Sequence, residues 1–100
     1  MATRVFGPMP LNFGAQGLAP GQSIDTVWTT DPQLGDGTVT FTAFPLNLGG
    51  DGGRLALRDP TVQAVADGEG GLNITLHVVV ANVGQNTVFD ASMFISYNEL

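Results

Sequence analysis

Residues 72–97 read LNITLHVVVANVGQNTVFDASMFISY, and apolar and polar side chains alternate on both sides of the four residues VGQN. A period of two is typical of a β-strand that buries one face and exposes the other. The stretch therefore predicts two strands, at 72–82 and 87–97, each with one apolar face turned towards a core.

The turn between these two strands predicts how they pair. If residues 84–85 form a two-residue turn, Ile74 lies opposite Ile95 and Leu76 lies opposite Met93. A slip by one residue would place apolar side chains opposite polar ones along the whole hairpin, which a buried face does not allow. We therefore expect the two strands to be neighbours in one sheet.

A second hairpin is predicted by the glycine-rich loop DGEGG at 67–71. It brings the preceding strand alongside the first strand of the opening stretch and pairs Ala64 with Ile74. The two hairpins together predict a three-stranded meander over residues 61–97, with an apolar inner face and a polar outer face.

The remaining chain predicts further short strands between turns of glycine, proline and aspartate. Residues 1–20 form an irregular N-terminal arm in this interpretation, because prolines are excluded from central strands. One hundred residues suit a single domain, 1–100. We expect an all-β fold, a two-sheet antiparallel β-sandwich with immunoglobulin-like or jelly-roll connections. Its roughly seven strands are predicted at 4–6, 23–30, 38–44, 54–57, 61–66, 72–82 and 87–97.

The charge balance excludes several classes of partner. Nine acidic residues stand against three arginines, and the net charge is -6. Nucleic acids and anionic membranes require a positive surface, so neither is an expected partner. No cysteine is present, which excludes disulfides and thiolate metal sites. We recognise neither a signal peptide nor a transmembrane segment, and the compartment stays open.

One group of side chains has the ingredients of catalysis. In the predicted register His77 lies opposite Ser92 and diagonal to Asp90 on the outer face. A base, a nucleophile and a carboxylate are used in acyl transfer, so a small hydrolase or isomerase that uses His77 is one alternative. A flat strand, however, already uses its backbone amides in the sheet and offers no oxyanion site. A non-catalytic role is therefore the favoured interpretation.

The same outer face has the composition of a binding surface. It is low in charge and combines short polar side chains with an aromatic ring, which suits contact with another protein or with a carbohydrate. The residues that we predict for ligand binding are Asn73, Thr75, His77, Ser92 and Phe94.

Acidic loops raise the question of calcium, which takes carboxylate and carbonyl oxygens on flexible backbone. No loop has the spacing of a known calcium loop, and turn formation alone explains Asp-Gly pairs. We expect no cofactor, with calcium as the alternative. Its weak candidate ligands are Asp31, Asp36, Asp51, Asp67 and Glu69.

These observations predict a non-catalytic interaction or assembly module. We expect it to form a homo-oligomer through the arm at 1–20, which is apolar and has to be covered, or through the outer sheet face. The alternatives are a small carbohydrate-binding module, assisted by calcium, and the small hydrolase or isomerase that uses His77.

Overall fold

The computed structural model describes residues 3–30 and 37–99. These residues form six strands: β1 (Thr3–Asn12), β2 (Ser23–Thr30), β3 (Gly37–Leu48), β4 (Leu55–Ala66), β5 (Leu72–Asn82) and β6 (Val88–Glu99). Within the same ranges there is no helix with the length and hydropathy needed to span a membrane.

The strands form two antiparallel sheets of three strands each, in the orders β1-β6-β3 and β2-β5-β4. The prediction of an all-β fold with two antiparallel sheets is confirmed. The described strands number six and not seven, because the predicted strands at 54–57 and 61–66 are one strand. A register shift between Arg58 and Thr61 interrupts it, and Asp59 adopts a positive φ of 51° there.

Both central strands, β5 and β6, bury every second side chain. Leu76 and Val78 of β5 and Met93 and Ile95 of β6 lie in one hydrophobic cluster, each at most 2 % exposed. The apolar rows of the two sheets therefore face each other. The intervening residues of both strands point to the two opposite outer surfaces.

The predicted hairpin between the last two strands is wrong. β5 pairs with β2 and β4, β6 pairs with β1 and β3, and residues 83–87 carry the chain from one sheet to the other. The alternation of apolar and polar residues is equally compatible with a hairpin in one sheet and with two strands in facing sheets. In both arrangements the apolar row of each strand is buried. The second hairpin is confirmed, with Ala64 opposite Ile74 as predicted.

Half of the predicted irregular arm is a regular edge strand. β1 pairs with β6 along its length, and its register shifts between Phe6 and Met9, where Gly7 has a φ of 131°. A Cβ at Gly7 would lie 2.7 Å from the carbonyl oxygen of Met93, so a glycine is required at this close approach. The two prolines of β1 are tolerated because the strand is at the edge of its sheet.

The side chain of Asn82 fixes the crossover between the sheets. It is 1 % exposed, at the end of β5. Its Nδ2 donates to the carbonyl oxygens of Leu18 and Asn86, each at 2.8 Å, and its Oδ1 accepts from the N–H of Gly84 at 2.9 Å. These hydrogen bonds satisfy backbone groups that lie before and after Asn82 in the sequence. The hydrogen-bond ladder of β5 therefore cannot continue past Asn82.

The backbone of Asn82 also holds the segment between β1 and β2. Its N–H donates to the carbonyl oxygen of Gln22, and its carbonyl oxygen accepts from the N–H of Gly21, both at 2.9 Å. Leu18, which is 4 % exposed, forms an isolated bridge with Val88 at the start of β6. The second half of the predicted arm therefore closes the end of its own domain.

Replacing Asn82 by alanine should lower the free energy of unfolding by about 3 kcal/mol, because three backbone groups lose their partner and each costs on the order of 1 kcal/mol or more. Urea denaturation followed by circular dichroism measures this loss. Asn73→Ala is the control, since Asn73 lies exposed on the same strand and should change stability by less than about 0.5 kcal/mol. Equal losses for the two variants would contradict the assigned role.

Candidate functional site

His77 lies on the outer face of the β2-β5-β4 sheet, away from its predicted neighbours Ser92 and Asp90. Its Nε2 is 3.9 Å from Oδ1 of Asp25, and the two side chains are 34 % and 73 % exposed. Val27 and Thr61 lie directly opposite His77 on β2 and β4. An exposed pair at this distance is a weak surface ion pair when the imidazole is protonated.

The other two residues of the predicted catalytic group lie on the opposite surface of the molecule. Ser92 and Asp90 belong to β6, at outward positions of the β1-β6-β3 sheet. Packed sheets are about 10 Å apart, so side chains on opposite outer faces cannot form a triad with His77. Oδ2 of Asp90 accepts a hydrogen bond from Nδ2 of Asn47 instead. The structure thus removes the geometric basis of the predicted triad.

The five residues predicted for ligand binding are divided in the same way. Asn73, Thr75 and His77 share the outer face of the β2-β5-β4 sheet, whereas Ser92 and Phe94 share the outer face of the other sheet. No single ligand on one face reaches both groups.

The outer face of the β1-β6-β3 sheet carries a group of apolar side chains, of which the sequence interpretation named only Phe94. The rings of Phe44 and Phe94 contact each other edge to face, with centroids 5.7 Å apart and an interplanar angle of 85°. Phe44 is 55 % exposed, and Leu46 beside it on β3 is also exposed. We name Phe44, Leu46 and Phe94 the aromatic patch.

Two signals in the sequence bear on this patch. In the predicted strand at 38–44, Val39, Phe41 and Ala43 form the apolar row that suits a core, so Phe44 falls on the outer face by alternation. Residues 45–53 were predicted to be a connector, whereas β3 continues through Pro45 to Leu48 and presents Leu46 on the same face. The sequence interpretation therefore missed Leu46, the residue of the patch that lies beyond Pro45.

The acidic loops at 49–54 and 67–71 lie at opposite ends of β4. Asp51 precedes β4, and Asp67 and Glu69 follow it, so a strand of roughly 35 Å separates them. No group of three potential metal ligands occurs among residues 3–30 and 37–99. Asp31 and Asp36 lie outside the described residues, and calcium binding stays the untested alternative to the prediction of no cofactor.

Asp67 has a structural task in its turn. Its Oδ1 accepts from the N–H of Glu69 at 2.7 Å and from the N–H of Gly71 at 3.0 Å. These backbone hydrogen bonds lower the pKa of the Asp67 carboxyl below its ordinary value of 3.8. The carboxylate therefore stabilises the loop whose hairpin the sequence predicted correctly.

A concave feature lies beside the segment between β1 and β2. It is an open cleft of about 460 Å³. The amide oxygens of Asn12 and Gln22 at its wall already accept from the N–H groups of Gly14 and Ala19, at 2.7 and 2.9 Å. Its lining consists of Asn12, Phe13, Gly17, Leu18, Gln22, Ser23 and Ile24.

Two outer faces of different chemistry are the main candidates for function. The face of the β2-β5-β4 sheet carries the ionisable side chains Asp25, His77 and Arg58, and the face of the β1-β6-β3 sheet carries the aromatic patch. No protein-family model, curated protein or solved structure matches the chain. The functional argument therefore rests on the chemistry of these faces.

The lowered pKa of Asp67 predicts a pH dependence of stability with a defined sign. The contribution of the carboxylate is complete above the ordinary pKa of 3.8 and is lost as the pH falls through the lower pKa of the folded chain. Asp67→Asn should therefore lower the urea midpoint at pH 6, and the difference from the wild type should shrink as the pH falls below 3.8. Asp51→Asn is the control, and a constant difference across this range would refute the assignment.

Proposed function

We propose that the chain is a non-catalytic interaction module, a two-layer β-sandwich that associates with a second copy of itself through the outer face of the β1-β6-β3 sheet. The shared core of the two sheets supports the sandwich arrangement. The aromatic patch supports the choice of face.

The observation that carries the proposal is the exposure of Phe44. This ring leaves more than half of its surface in water and contacts the ring of Phe94 edge to face. Large aromatic side chains are enriched at protein interfaces and contribute much of their binding energy. An exposed phenylalanine in such a pair is thus a suitable anchor for a partner.

The charge distribution supports a second copy as the partner. The outward positions of β1, β6 and β3 alternate with buried ones, and among them only Asp90 has a formal charge. Because each chain carries a net charge of -6, two copies repel each other least where this face meets its equal. Depletion of charge at the centre of the contact is typical of protein interfaces.

A neutral carbohydrate is the second candidate at the same patch. Phe44 lies directly opposite Ser92 on the neighbouring strand, so an exposed ring and a hydroxyl group lie side by side. Aromatic rings pack against the apolar face of a sugar while short polar side chains bind its hydroxyl groups. This arrangement keeps Ser92 and Phe94 of the predicted ligand set and leaves out Asn73, Thr75 and His77.

Replacing Phe44 by aspartate tests both candidates. For self-association we expect the dissociation constant to rise by about 30-fold or more, since an interface anchor contributes roughly 2 kcal/mol. Light scattering behind a sizing column, over a range of chain concentrations, measures the change. Val27→Asp is the matched control, because Val27 is 59 % exposed on the other outer face.

The outcome separates the two candidates. A solution mass that responds to Phe44→Asp and not to Val27→Asp supports the self-association. An unchanged mass, together with neutral sugars that shift the NMR signals of Phe44 and Ser92, would replace it by carbohydrate binding.

A further inference from the structure

One segment of β4 is exposed on both of its faces. All six residues from 61 to 66 are exposed, although alternate ones lie opposite the buried side chains of Leu76 and Ile74. Val62, on the inner side, is 57 % exposed, and Val65, on the outer side, is 50 % exposed. The facing sheet therefore leaves this end of β4 uncovered. We name residues 61–66 the free β4 segment.

Four of the six described strands are sheet edges, and two of these edges, β1 and the first half of β4, are obstructed. An edge strand offers unpaired N–H and C=O groups to another chain unless a proline, a bulge or a charge prevents pairing. β1 contains Pro8, Pro10 and a register shift, and the first half of β4 ends at the irregular turn with Asp59 and Pro60. The free β4 segment, TVQAVA, contains no proline, no glycine and no charge.

The free β4 segment differs from the edges of β2 and β3 in its inner row. Thr26 of β2 is buried, and Val39 and Phe41 of β3 pack against the core cluster, so these rows are already covered. A new strand beside them would gain backbone hydrogen bonds and little apolar contact. A strand beside the free β4 segment would also cover Val62, and this burial favours association.

We propose that a second copy of the chain adds its own free β4 segment to this edge in the antiparallel direction, which joins two sheets into one of six strands. The pairing is of the strand-addition type, in which main-chain hydrogen bonds supply affinity and alternate side chains supply specificity. It brings neutral residues against neutral residues in a chain with a net charge of -6. This contact is independent of the aromatic patch, which lies on the other sheet.

The composition of the segment favours a register centred on Ala64 over the one centred on Gln63. A two-fold axis through Ala64 places this alanine opposite Ala64 of the partner subunit, so that two small side chains meet. The same axis places Val62 opposite Ala66 of the partner subunit and Thr61 opposite Asp67 of the partner subunit. A two-fold axis through Gln63 would require Pro60 to pair, and proline lacks the N–H donor. It would also set Asp59 against Asp67 of the partner subunit, which repel each other.

Two self-contacts on different sheets have a geometric consequence. The edge contact and the contact through the aromatic patch each relate two copies by a two-fold axis, and neither one blocks the other. Two different two-fold interfaces on one chain generate a closed tetramer when their axes intersect at a right angle, and a larger or open assembly otherwise. Losing either contact alone leaves dimers as the largest species.

Cysteine cross-linking tests the register, because the chain contains no cysteine of its own. In Ala64→Cys, the two sulfur atoms meet at the axis, where opposite Cα atoms are about 5 Å apart and within disulfide range. Under mild oxidation it should form a covalent dimer about tenfold faster than Gln63→Cys, whose two copies lie beyond the limit of about 7 Å. Val27→Cys measures random collision. A rate for Ala64→Cys no higher than for these two controls would overturn the proposal.

A charge exchange at the same position tests the contact without a covalent bond. Ala64→Asp and Ala64→Lys each place two like charges at the axis, so each variant alone should be a monomer when Phe44→Asp removes the other contact. An equimolar mixture should recover the dimer, because the charges then attract. Light scattering reads the mass, and circular dichroism verifies that both variants are folded. A mixture that stays monomeric would overturn the edge contact.

The two proposals fail separately. If Phe44→Asp has the same solution mass as the wild type, the aromatic patch is not a self-contact. The cross-linking rate of Ala64→Cys then still decides the edge contact. If Ala64→Cys cross-links no faster than its controls while Phe44→Asp lowers the mass, the edge contact is wrong and the proposed function stands.

Discussion

The buried amide of Asn82 is the interaction on which the rest of the fold depends. It sits where β5 ends, and its three side-chain hydrogen bonds connect the strand end, the crossover at 83–87 and the segment that follows β1. A buried amide requires partners because an unpaired polar group in the core costs on the order of 1–3 kcal/mol. The hydrogen bonds of Asn82 therefore fix the residue at which the chain leaves the sheet of β5.

This crossover determines the chemistry of the surface. Because β5 and β6 are centres of different sheets, the polar rows that alternate with their buried residues end on opposite sides of the molecule. One side presents an ionisable row with His77 and Asp25, and the other presents a nearly uncharged row with Phe94. An arrangement that separates ionisable from aromatic groups favours recognition by one face at a time and disfavours a composite site.

The sequence was informative about faces and less informative about neighbours. Alternation identified the buried rows of β5 and β6. The short loop at 67–71 determined the register that pairs Ala64 with Ile74, because the length of a hairpin loop fixes how the two strands pair. The same alternation was compatible with a hairpin at 83–86, and no local signal distinguished Asn82 from a surface asparagine. Its role requires the carbonyl oxygen of Leu18, which is 64 residues away.

The prediction of the candidate site contains the same error, the assumed pairing of β5 with β6. Alternation correctly put Ser92 and Phe94 on an outer face, but the assumed pairing combined them with His77, and so the predicted group mixed two surfaces. The aromatic patch depends on the pairing of β3 with β6, which brings Phe44 beside Ser92. Contacts between strands distant in sequence are set by packing in the whole domain, which a local period does not report.

The pairing of Thr3 with Asn98 also has a consequence for the order of events on the ribosome. The β2-β5-β4 sheet has all its strands once residue 82 has emerged, whereas β1 and β3 can pair only after β6 has also emerged. Contacts between such distant residues form late because the intervening chain must first be ordered. β1 is thus synthesised long before the strand with which it pairs, and its apolar row stays without this partner while the intervening chain is made.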